Sequence, residues 1–282
     1  MAATLSISPE QQLAHCTGRF DYVLPASLQS TGGQRNLYLI DAVQVALPAG
    51  ASAVGEFKAR LASTMASKST SGAALLREFN LGGVGPAAWL RLAANRPDLV
   101  TLLAMKPVPE AGVAVYLQIE ASAGREAVAE SVFPKLAATY AAGSPQGFCS
   151  GAGAFVIAPS INERAFDSFA AIGVSISVET ETVSAPDDGQ SSDGDPPPGG
   201  KVLVKHRRSV AGFDGIEQLV QLPGDGGGTR LVFTWIFAGR AADGATPRIR
   251  FAGSAVGSHV ASLDAAWNAL LATWRPRPLS VR

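Results

Sequence analysis

The sequence is poor in the residue types that carry most enzyme chemistry. It has two cysteines and three histidines in 282 residues. Neither type falls into a His-x-x-x-His or Cys/His spacing that could hold zinc. A Gly-x-Ser-x-Gly nucleophile elbow is absent, and so is a phosphate-binding Walker loop. Gly151-Ala152-Gly153 opens like a dinucleotide fingerprint, but Val156 stands in the place of the third glycine and a strand pattern follows. The expectation is therefore no enzyme: no catalytic residue, no cofactor and no metal. Charge of one sign is lacking too. The 23 Lys+Arg balance 23 Asp+Glu, which removes the basic excess that nucleic-acid binding needs. No apolar run approaches the roughly 18 residues of a transmembrane helix. Met1–Gln12 has neither a basic n-region nor an apolar run long enough for a signal peptide. That leaves a cytoplasmic protein, or one whose export signal has been removed.

What is present is core-forming material, with 47% of residues hydrophobic, and the length allows one large domain or two ordinary ones. Short alternating strands dominate. Leu37, Leu39, Val43, Val45 and Leu47 recur at even spacing around Asp41. The same period of two runs through Val113–Ile119, Ile172–Val178 and Leu231–Phe237. Gly/Pro turns such as Lys106–Gly112 favour antiparallel meanders over crossovers. Helical stripes appear three times. Val54, Phe57, Leu61 and Met65 follow Ser52 as N-cap. Val128, Val132, Leu136 and Tyr140 form the second, which Pro134 should kink or split. Leu263, Trp267, Leu270, Leu271 and Trp274 form the third, stopped by Arg275-Pro276-Arg277-Pro278.

Few helices among many strands predict an α+β fold with helices on one face of antiparallel sheets. A boundary at Ala141–Pro145 divides the chain into an N-terminal domain, 1–145, and a C-terminal domain, 146–282, with a cleft between them. Within the second, Ser184–Gly200 has four Asp, no basic residue and nothing to bury. It reads as a mobile, solvated loop between two strands.

The remaining chemical candidates have bland readings beside them. Cys149 as nucleophile with His206 as base is one; a structural cysteine leading into a strand is the other. Lys201, Lys205, His206, Arg207 and Arg208 form a basic run, an anion patch or simply a solvated strand face. Trp89, Trp235, Trp267 and Trp274 read as core anchors rather than a ligand cage. Gly224–Gly228 reads as a hairpin turn.

Three segments taken together resemble one family. The first is Cys16-Thr17-Gly18-Arg19-Phe20 running to Leu24-Pro25. The second is Gly147-Phe148-Cys149, then Glu163 before Phe166 and Phe169. The third is Ala211-Gly212-Phe213-Asp214-Gly215-Ile216-Glu217, then Phe233-Thr234-Trp235, Gly239, Pro247 and a closing Leu263-x-x-x-Trp267 helix ending in Arg275-Pro276-Arg277. Their order is similar to that in the two-domain immunity proteins that neutralise type VI secretion lipase effectors, the Tle cognate immunity family. Ile216 departs from the pattern, standing where an acidic residue is expected.

The resemblance implies a periplasmic, non-enzymatic inhibitor whose partner is a lipase or phospholipase effector, gripped or covered by the cleft. It also implies a Cys16–Cys149 disulfide in that oxidising compartment. The alternative is a periplasmic small-ligand or envelope-binding module using the same cleft.

Overall fold

A computed structural model of the chain describes residues 12–47, 50–184, 196, 198–224 and 228–278. In chain order the strands begin with β1 (Gln12–Thr17), β2 (Phe20–Pro25), β3 (Gln29–Leu37) and β4 (Ile40–Ala46). Helix α1 (Ala53–Ser67) precedes β5 (Ala74–Leu81), β6 (Gly85–Arg91), β7 (Leu99–Val108) and β8 (Val113–Ser122). Helix α2 (Glu126–Ala138) leads to β9 (Tyr140–Ala142), β10 (Phe148–Ser150) and β11 (Gly153–Phe155). Long strands follow: β12 (Glu163–Ala171), β13 (Val174–Glu181), β14 (Lys201–Val210), β15 (Phe213–Pro223), β16 (Thr229–Phe237) and β17 (Arg248–Val256). Helix α3 (Val260–Thr273) and β18 (Arg275–Pro276) complete the order. The fold is α+β.

The chain forms two compact units, one of residues 1–34 with 159–279 and the other of residues 35–158 with 280–282. This differs from the expected division at 145. The N-terminal hairpin belongs with the C-terminal half because its apolar face is completed there. Phe20 and Tyr22 stack on Trp274 at 4.7 and 5.5 Å. The Val23 amide donates to Thr273 Oγ1 at 2.9 Å across 250 positions. Pairings at that separation leave no local trace in sequence.

In the first unit β14, β15, β16, β17, β13 and β12 lie side by side, each antiparallel to its neighbour. Helix α3 packs on β13 and β17 and is covered in turn by β2. Leu263, Ala266, Trp267, Leu270 and Leu271 are its buried stripe, at the helical spacing that puts them on one face. They meet Ile176, Val178, Trp235, Ile249 and Phe251 from the sheet. Burying an aromatic or leucine side chain here contributes about 1.5–3 kcal/mol each. Gly253 lets Leu263 and Trp267 approach the sheet closely. A Cβ there would sit 2.8 Å from Leu263 Cδ1 and 3.3 Å from Trp267 Cε3.

The second unit has β4, β8, β7, β6 and β5 in that order, all antiparallel, and a small sheet of β10, β11 and β9. Helix α1 is capped by Ser52, whose Oγ accepts from the Gly55 amide at 2.9 Å. Its Phe57 and Leu61 pack against Leu90, Leu103 and Met105. Helix α2 lies on the opposite face. Lys106 Nζ reaches the carbonyl of Ala137, and Trp89 Nε1 donates to Glu130 Oε1 at 2.8 Å. β7 is therefore buried on both sides, from Val100 to Met105, and its run of apolar residues is the pattern such burial requires. The expected arrangement, helices on one face only, holds for the first unit and not for the second. Helix α2 also runs through Pro134 without dividing, and Tyr140 begins β9 instead of ending the helix.

One further strand reading changes. Leu37–Leu47 was expected as one strand and is a hairpin, turning at Tyr38 and Leu39, with φ of 52° and 68°. The acidic segment expected as a mobile loop lies mostly outside the described residues, at 185–195 and 197.

Candidate functional site

Of the residues singled out by motif, Gly147, Phe148 and Cys149 lie in the second unit, and the others lie in the first. Arg19 sits in the tight turn between β1 and β2, where Gly18 adopts φ +59°. Its guanidinium meets Glu163, at the start of β12, through two parallel bonds of 2.7 and 2.6 Å. Both side chains are almost wholly buried, with 6% and 5% exposure. Glu163 Oε1 also accepts from the Ser160 amide at 2.9 Å. Burial pushes the Glu163 carboxyl above its usual range, against the pull of Arg19 and that amide. The Arg19 carbonyl accepts from the Arg277 amide at 2.8 Å, and Arg277 Nη1 donates to Asp21 Oδ1 at 3.0 Å. The Arg19, Glu163 and Arg277 motifs thus form one lock that ties the chain's start and end to β12.

A second lock joins the third motif to α3. Glu217 Oε1 accepts from Trp267 Nε1 at 2.6 Å. Arg208 Nη1 donates to both Glu217 oxygens at 3.1 and 3.0 Å, and Trp235 Nε1 donates to the Arg208 carbonyl at 3.0 Å. Gly215 permits the close stacking: a Cβ there would meet Trp235 Cε2 at 2.5 Å. These motifs specify packing.

The expected candidates fall as follows. Cys16 lies on β1, partly buried, and Cys149 lies on β10, fully buried. Neither is a free thiol, which takes away the nucleophile proposed for Cys149. His206 is half exposed on β14, with Nε2 3.2 Å from Glu217 Oε2. Trp235, Trp267 and Trp274 are core residues, and Trp89 is buried. Gly151 and Gly153 form a turn against Gln44 and Tyr140. Of the glycine run, residues 225–227 lie outside the described residues. Among the described residues no cluster of His, Cys, Asp and Glu could hold a metal, and no helix is long and apolar enough to cross a membrane.

What remains is surface. The helix-free face of the first unit's sheet is paved with small hydroxyl residues. Ser175 and Ser254 share a hydrogen bond of 2.9 Å. Arg230 Nη2 donates to Ser254 Oγ at 2.8 Å, and Thr31 Oγ1 donates to Ser168 Oγ at 2.9 Å. Two shallow depressions of about 310 and 320 Å³ adjoin there, sharing Ser175, Arg230 and Ser254. The basic run lies on β14, the terminal strand of this sheet, and Lys201–Arg207 are all exposed. In the second unit the exposed apolar side chains include the Tyr38-Leu39 turn, 40% and 69% exposed, together with Val54, Leu75, Leu76 and Val128. Sequence reading missed this turn because it contains neither Gly nor Asn, the residues that normally mark two positive φ angles in succession.

No family model matches the chain, and no curated protein does. Solved structures do. The apo structure of immunity protein TplEi of the type VI secretion system (T6SS) from Pseudomonas aeruginosa is 20% identical with a TM-score of 0.70, over 95% of this chain and 98% of that one. A chain of the Tle4–Tli4 complex is 18% identical with a TM-score of 0.70, over 97% and 100%. TplEi complexed with an "L" peptide is 18% identical with a TM-score of 0.67, over 96% and 100%. Nearly end to end, this chain has the fold seen in TplEi and in the Tle4–Tli4 complex.

Proposed function

We propose that this protein is a non-catalytic immunity protein, which binds a lipase or phospholipase effector of type VI secretion and blocks it sterically. The observation that carries the reading is the fold shared over 95% of this chain and 98% of the immunity protein TplEi. The ordered motifs that resemble the lipase-immunity family support it, since they build the locks that hold that fold. An extended polar surface suits an inhibitor that works by shape. The reading places the protein in the periplasm, where a Cys16–Cys149 disulfide would form. Protection requires a complex that persists, with nanomolar affinity or about −12 kcal/mol. Purified chain should capture a lipase effector of type VI secretion, should one be encoded in its genomic neighbourhood, and co-expression of the two in the periplasm should rescue growth. Failure of both overturns the reading.

A further inference from the structure

The turn between β3 and β4 has two residues, and both are large. Tyr38 and Leu39 take φ angles of 52° and 68°, in the left-handed region where a Cβ crowds the carbonyl that follows. Glycine, asparagine and aspartate are the residues that suit such a hairpin turn. Neither side chain gains inside the protein from being there. Both are exposed, and among the described residues the Tyr38 hydroxyl makes no hydrogen bond and its ring meets no other ring. Val54, Leu75, Leu76 and Val128 are also exposed in this unit, but none of them holds a positive φ. Backbone strain that the fold itself does not use clusters at functional positions.

The mounting beneath the turn is braced. Leu37 and Ile40, the pair that closes it, are completely buried. One pair further in, Asn36 Nδ2 donates to Asp41 Oδ1 at 3.0 Å across the two strands. From Asp41 onward β4 is paired to β8. An aromatic ring and a leucine are therefore held outward together at the end of a fixed hairpin. Side chains presented in this way lose less freedom on binding than those of a loose loop. Tyrosine is also among the residues that dominate an interface when it enters a pocket.

We infer that the Tyr38-Leu39 tip is an anchor that enters the effector, and that it fills the apolar cleft made for the substrate's acyl chain. A lipase or phospholipase must carry such a cleft, because an acyl chain has to leave the lipid phase to reach the reacting groups. The chemistry of the tip matches it: two adjacent uncharged side chains, one aliphatic and one aromatic, projecting from a narrow two-residue turn. Seating them there would exclude substrate directly. The strain carried by the free protein would then be offset by contacts made only in the complex. This inference rests on the proposed immunity role and names how the block is made.

The test uses the full-length chain, a purified lipase effector of type VI secretion, and dansyl-undecanoic acid as a fluorescent occupant of the acyl cleft. The native chain should displace this probe from the lipase as the complex forms, a readout that needs no variant. Tyr38→Asn/Leu39→Gly suits the turn, so it should melt no lower than the native chain and yet bind more weakly by about tenfold or more. At concentrations that saturate the lipase with this variant, the probe should stay bound. Native-strength binding by the folded variant, or a native complex that still holds the probe, overturns the anchor while leaving the immunity role intact. Self-association of the native chain that the variant abolishes would assign the tip to a second copy, and would also overturn it. A native chain that binds no lipase effector overturns the immunity role itself, and the anchor with it.

Discussion

Arg19 and Glu163, 144 positions apart, form a bidentate ion pair from which water is almost excluded. Removing one member of such a pair leaves the other charge buried and alone, which costs far more than removing both. Arg19→Met should destabilise the protein by about 3–5 kcal/mol at neutral pH. Burial already raises the Glu163 carboxyl, so the isolated acid takes a proton readily. The loss should therefore shrink as pH falls toward the carboxylate range. Arg19→Met with Glu163→Met should recover much of the stability. Urea midpoints of the three variants measure this, and a loss independent of pH would contradict it.

The same pair shows what was legible in the sequence. The motifs around Arg19, Glu163 and Arg277 were visible as an ordered set, but their convergence was not, because nothing local encodes a contact across more than a hundred residues. Periodicity located all three helices, and Ser52 was correctly placed as the cap of α1. It did not assign the N-terminal hairpin to the C-terminal half, since Phe20 and Tyr22 stack on Trp274 through tertiary packing alone. The candidate surface was legible only as the basic run at 201–208. That β14 is a terminal strand depends on sheet order, which alternation cannot report.

His15 on β1 packs edge-on to Phe169 at 4.7 Å and stacks with Tyr22 at 5.8 Å. Burial lowers its pKa below 6.5, and the charge of Asp167 opposes that shift only in part. A histidine depressed in the folded state binds fewer protons there than in the unfolded chain. Its contribution is complete above the unfolded value of 6.5 and is lost as pH falls from there through the lowered folded value. The denaturation midpoint should fall as pH drops below the unfolded value, and His15→Phe should flatten that slope. Equal slopes in the two proteins would show that His15 is not the titrating group.

Tyr38 and Leu39 hold positive φ angles without being glycine, a conformation that costs L-residues roughly 1–2 kcal/mol each. Both are exposed, so little burial offsets the cost. Replacing them with Asn-Gly, which suits a two-residue hairpin turn, should stabilise the protein by about 1–2 kcal/mol. A thermal melt reads the gain, and a loss would mean the two side chains are held by contacts that outweigh the strain.

We propose that Cys16 and Cys149 are joined to each other, closing most of the N-terminal half into a loop. By the chain-entropy argument such a closure is worth about 4–5 kcal/mol. Alkylation of denatured, unreduced protein from the periplasm should label neither cysteine, and reduction should lower the melting temperature. Two labelled thiols in that material would refute the pairing.

The central claim is inhibition by a stoichiometric grip, without chemistry on the inhibitor's side. Titrating the candidate lipase effector with this chain, on phospholipid vesicles and at enzyme concentrations well above the dissociation constant, tests it most directly. The account predicts that hydrolysis falls linearly and reaches near zero at one equivalent of the protein, with the protein recovered unmodified. Undiminished hydrolysis at several equivalents, or inhibition that needs only a small fraction of one, would contradict it.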